Sequence, residues 1–167
     1  MTPQTQSSLF VAETKSEKIA NEAQRFLRGK TNHPLEWAHC KLCAAIKDED
    51  AELIRKLISD GVDPNVAAGP QQIITPLMLC LYKNYNEGFE ILTASPLVDY
   101  DQTNNAGETL LMIAIKQNNF EAVKFLSDKC NLHAINHAGD TAFHLATSEE
   151  INNYLVMVNK ANSLSGS

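Results

Sequence analysis

GETLLMIAIKQNNFEAVKFL, from Gly107 to Leu126, decides the fold, because a weaker copy of it stands on either side. TPLMLCLYKNYNEGFEIL begins at Thr75 and TAFHLATSEEINNYLVMV begins at Thr141. The three opening threonines are spaced by about 33 residues, a period that marks a stack of like helical units rather than a single-core globule. Each copy has the same internal order. A threonine suited to cap a helix is followed by a short apolar helix, a polar turn and a second helix. In the central copy Leu111, Ile113, Ala114 and Ile115 supply the first apolar face, and Phe120, Val123, Phe125 and Leu126 the second. Neither stripe can be buried within its own helix pair, so the units must stack.

Working outward, the unit before Thr75 runs from Pro34 to Asn65. Leu42, Ala45 and Ile46 mark its first helix, Leu53, Ile54, Leu57 and Ile58 its second, and Gly61 its stop. The unit from Thr75 has Pro76 at the first helical position and carries Leu77, Leu79, Cys80 and Leu81, then Phe89, Ile91 and Leu92. Gly88 inside its second helix weakens that helix by about 1 kcal/mol relative to alanine and suggests either close packing or local tolerance. The last unit keeps Phe143, His144, Leu145 and Ala146 but loses the leucine run, as a closing unit would. The predicted boundaries are a flexible start over 1–15, a capping helix and linker over 16–33, and an array over 34–158. Its repeats fall at about 36–65, 71–101, 104–135 and 136–158, and a flexible tail is expected over 159–167.

With 20 acidic and 14 basic residues in 167, the net charge of −6 disfavours nucleic acid or an anionic membrane as the main ligand. No apolar run approaches the length of a membrane span, and the first residues lack a secretory leader pattern, so cytoplasmic residence is expected. Delivery into a host cell by a leaderless route stays open.

The units resemble the ankyrin repeat family, whose pattern of D-x-x-G-x-T-P-L-H-x-A, a helical pair and G-A-D-x-N is matched in part. The matching residues are Thr75-Pro76-Leu77, Asn104 to Thr109, Asn136 to Thr141 with Phe143-His144-Leu145-Ala146, and Gly61 to Asn65. Leu110 and Ala142 depart from its proline, and Cys43, Met78 and Met112 from its histidine. The resemblance implies an all-α ankyrin-repeat solenoid of about four helix-turn-helix repeats with an N-terminal capping helix. It also implies hairpin-like fingers, and a concave face that binds a protein or peptide partner.

Carrying over the variable contact positions places finger contacts at Trp37, His39, Gln72, Ile74, Asn105, Glu108, His137 and Asp140. First-helix contacts follow at Lys47, Asp48, Tyr82, Lys83, Lys116, Gln117, Ser148 and Glu149. His144 is implied to hydrogen-bond the backbone of a neighbouring loop. A monomeric, non-enzymatic adaptor without cofactor is expected. The alternative is a targeting domain of a larger enzyme or of a secreted bacterial effector.

Two groupings invite chemistry. His39, Cys40 and Cys43 carry zinc-ligand types, but no second pair lies nearby to complete a tetrahedron, and Cys40 and Cys43 fall on structural slots. His133, His137 and His144 occupy unlike positions within the repeat, which argues against a catalytic cluster. The run Asp48-Glu49-Asp50 with Glu52 suits a helix start, and a basic partner is its sharper reading.

Overall fold

The computed structural model describes residues 34–67 and 74–166, with the backbone alone over 34–40. The expected flexible start, the capping helix over 16–33, and Gln72 lie outside the described residues.

Among the described residues eight helices follow one another: α1 (Pro34–Lys47), α2 (Ala51–Ser59), α3 (Pro76–Lys83), α4 (Asn86–Thr93), α5 (Leu110–Lys116), α6 (Phe120–Leu126), α7 (Ala142–Leu145) and α8 (Glu149–Ser165). Among the described residues there is no strand, only an isolated bridge between Thr103 and Thr109. The helices pair as α1 with α2, α3 with α4 and α5 with α6, while α1, α3, α5 and α7 lie side by side in series. This is the expected stack.

The local chemistry repeats with the sequence. Thr75 and Thr109 accept hydrogen bonds from the amides of Met78 (3.4 Å) and Met112 (3.3 Å), capping α3 and α5. Asp50 and Asn119 do the same for α2 and α6 through the amides of Leu53 (3.0 Å) and Ala122 (3.1 Å). Between the helices of each pair, Glu49, Asn84 and Asn118 take positive φ. The next amide then turns back to the helix, Asp50 to Ala45, Tyr85 to Cys80 and Asn119 to Ala114, at 2.9 to 3.0 Å. Three equivalent Schellman closures thus set three equivalent turns.

One seam of side chains joins the units. Leu42, Leu77 and Leu111 are buried along it, with Phe143 packed at its end, and Leu57, Leu92 and Leu126 fill the matching places on the second helices. Gly88 is buried against Tyr85: a Cβ there would lie 2.4 Å from the Tyr85 ring and 3.1 Å from Cys80 Sγ. Of the two readings of that glycine, close packing is the one present.

The helix read from Pro34 begins there, since nothing between Pro34 and Lys47 breaks it and proline is tolerated at a helix start. Two expectations are corrected. The tail expected from 159 is helical to Ser165, since no breaker intervenes before Gly166, and the hydroxyls of Ser163 and Ser165 bond back to the carbonyls of Asn159 and Ala161. Phe125, expected to line the core, is 37% exposed.

Candidate partner-binding site

Two fingers are built alike. In the first, the amide of Asn104 donates to the carbonyl of Glu108 (3.1 Å) and the amide of Gly107 to the carbonyl of Asn104 (2.9 Å). In the second, Asn136 and Asp140 (3.0 Å), then Gly139 and Asn136 (3.0 Å), repeat the pattern. The side-chain oxygen of each asparagine accepts from two further amides, those of Ala106 and Glu108 for Asn104 and those of Ala138 and Asp140 for Asn136. Backbone polarity is thereby satisfied inside each tip. The tips are also joined to each other, because the amide of His137 donates to the carbonyl of Ala106 at 2.9 Å.

At the foot of the first finger a polar network links two units. Lys116 Nζ lies 2.7 Å from Glu108 Oε1, Asn104 Nδ2 donates to Glu108 Oε2 (2.8 Å), and Asn104 Nδ2 also donates to the Tyr82 hydroxyl (2.9 Å). Glu108 is only 7% exposed, so its carboxylate is a structural junction and not the free finger contact expected. Burial pushes its pKa up, but the bonds from Lys116 and Asn104 outweigh burial and hold it below the usual carboxylate range. Lys116 is raised, chiefly by its bond to Glu108 and against partial desolvation.

A carboxyl depressed by folding stabilises the protein above its unfolded pKa, near 4.5, and that stability is lost as pH falls through the lower folded value. Lys116 acts in the opposite sense: its contribution is complete below about pH 10.4 and fades as pH rises through its raised value. The pair therefore supports the fold across the neutral range. Glu108→Gln is expected to cost about 1–2 kcal/mol at neutral pH and to flatten the acid limb of stability against pH, measured by urea unfolding. An unchanged acid limb would assign it to other carboxyls.

The remaining positions are placed as follows. Tyr82 is 37% exposed, and its hydroxyl proton has no acceptor among the described residues. Lys83 reaches the carbonyl of Lys47 (3.0 Å) and Glu49 (3.0 Å), so it ties the second unit to the first. Lys47, Asp48 and Asn105 are exposed, Ile74 packs against the core margin, Gln117 ends α5, and Asp140 lies near Lys116. His137 sits over Gly107.

Five placements differ from expectation. The backbone at Trp37 and His39 is helical, within α1, and not in a finger. Ser148 and Glu149 are the cap and first residue of α8, because α7 ends after a single turn at Leu145. His144 bonds the start of its own helix, accepting from the Thr141 amide at 3.1 Å, and not a neighbouring loop. Asn104, which ties the network together, was missed; its repeat at Asn136 was the available signal.

The cysteines read as packing groups. Cys43, Cys80 and Cys130 are buried, and burial pushes Cys80 up to about 12 and Cys130 up to about 11. Cys130 Sγ lies 3.5 Å from the Tyr100 carbonyl.

Stacked helix pairs, capping threonines and projecting fingers define a solenoid repeat protein that presents a surface for recognition. A sequence model of ankyrin repeats, in three copies, matches residues 77–163, just over half of the chain. The chain belongs to the ankyrin repeat family. The match begins after the unit formed by α1 and α2, which nonetheless shares its turn geometry and helix cap with the matched units. Ankyrin repeats are in general protein–protein interaction modules, and they are typically non-enzymatic.

Proposed function

We propose that this chain is an adaptor that binds a protein or peptide segment along the strip formed by its fingers and the ends of its first helices, the concave side of such a stack. What supports this is the junction at Tyr82, Asn104, Glu108 and Lys116. It fixes a half-exposed aromatic ring on a pre-set frame and leaves the Tyr82 hydroxyl with a proton to donate. A rigid aromatic with a polar tip suits an interface anchor, since it buries much area at small conformational cost. A partner carbonyl or carboxylate would complete its bond.

Lys116 and Lys83 are already engaged inside the array, so Tyr82 is the better position to probe. Tyr82→Ala is expected to weaken a partner isolated from the native cell by about tenfold or more, measured by calorimetric titration, with little change in thermal melting. Unchanged affinity would move the interface away from this strip.

A further inference from the structure

The units are not joined equally. Between the first and second, Arg55 of α2 bridges Glu52 of its own helix (3.1 Å) and Glu87 of α4 (3.0 Å), and Lys83 reaches Glu49 (3.0 Å). The Tyr85 hydroxyl donates to the Glu49 carbonyl (3.1 Å), while Asn65 donates to the Leu97 carbonyl (2.6 Å) and accepts from the Asp99 amide (2.8 Å). Among the described residues, Arg55–Glu87 and Lys83–Glu49 are the only ion pairs that pass from one unit to another. α2 and α4 accordingly pack directly on each other.

The next junction is built otherwise. α3 and α5 pack as closely as α1 and α3 do, so the spine of first helices continues, but α4 and α6 stand further apart. Glu90 takes the place of Arg55, and Lys124 pairs within α6 with Glu121 at 2.7 Å, so no ion pair crosses between these two helices. At their starts Asn119 Nδ2 donates to Asn86 Oδ1 (2.8 Å), and further along Phe89 meets Phe125 edge to face, with ring centroids 5.6 Å apart. A groove of about 680 Å³ lies between them. Charge-assisted bonds are directional and resist sliding, whereas ring edges shift against each other at small cost. The third junction is held on both sides, by the bond from His137 to Ala106 between the fingers and by Tyr154 of α8, which packs on Phe120 and donates to the Lys124 carbonyl (3.5 Å).

We infer that the junction between the second and third units is a hinge: α1 to α4 move as one body and α5 to α8 as another, pivoting on the packed pair α3 and α5 and opening or closing the groove between α4 and α6. Closure is favoured by burial of Phe125, now 37% exposed. It is opposed on the finger side, where the bond from Asn104 to the Tyr82 hydroxyl (2.9 Å) spans the same junction and a rotation that brings α4 onto α6 pulls its ends apart. The hinge therefore sets the curvature of the strip on which Tyr82 stands. That consequence rests on reading the strip as an interface; the hinge itself does not.

The test attaches spin labels to the full chain through keto amino acids at Lys47 and at either Ala94 or Asp128, equivalent exposed positions just past α4 and α6, and measures distances by double electron–electron resonance. The pair Lys47 and Ala94 crosses only the bridged junction and should give a narrow distribution. The pair Lys47 and Asp128 also crosses the hinge and should give one about twofold wider. Glu90→Arg supplies at the hinge the bridge that Arg55 makes one unit earlier, so it should narrow the second distribution, leave the first unchanged and melt no lower than the wild type. Tyr82→Phe, which removes the bond to Asn104, should widen the second distribution further. Equal widths for the two pairs in the wild type would overturn the inference, as would a second distribution that a folded Glu90→Arg leaves equally wide. Were Glu90→Arg not to fold, the wild-type widths and Tyr82→Phe still decide. No partner enters the measurement, so its outcome is separate from that of the Tyr82→Ala titration.

Discussion

Leu111→Ala is expected to lower the stability of the array by about 3–5 kcal/mol, a large share of the roughly 5–15 kcal/mol that holds a domain together. Leu111 is fully buried on α5, the first helix of the central unit, and α5 packs against α3 on one side and α7 on the other. Truncation removes apolar contacts and leaves a void that neighbouring helices, fixed by their own turns, can fill only in part. In a stack whose units are stabilised mainly by their neighbours, the loss also weakens the coupling between the two ends. Urea unfolding followed by circular dichroism should show a lower midpoint, and for this variant a shallower transition as the ends separate. A loss below about 1.5 kcal/mol would mean that Leu111 does not belong to a shared seam.

Gly107→Ala should be the most damaging change in a finger, at about 2–3 kcal/mol. Gly107 has φ of +72°, where a side chain is strained, and an added Cβ would meet the His137 ring at 2.7 Å and the His137 backbone nitrogen at 3.2 Å. Gly139 is the control. It occupies the equivalent place with φ of +87° and has no neighbour within 4 Å, so Gly139→Ala carries the backbone strain alone, about 1 kcal/mol. The difference between the two variants in urea unfolding isolates the contact between fingers. Equal losses would show that His137 gives way at no cost.

What the sequence made legible were features written locally. The threonine caps, the apolar stripes and the glycine at each fingertip specify structure within a few residues, so Thr75, Thr109, Gly107 and Gly139 could be placed directly. Long-range consequences were harder. Glu108 has the residue type of an exposed contact, and its burial arises only when Lys116 and Asn104 close around it. Phe125 fits an apolar stripe, and its exposure follows from the looser approach of α4 to α6, which no local pattern encodes.

The hydrogen bond from His137 to Ala106 has a bearing on how this chain can change in length. Because each tip supplies a partner to the other, an inserted or deleted residue in either would break the register of both at once. Descendants of this sequence should therefore keep a constant count of residues over the spans from Asn104 to Glu108 and from Asn136 to Asp140.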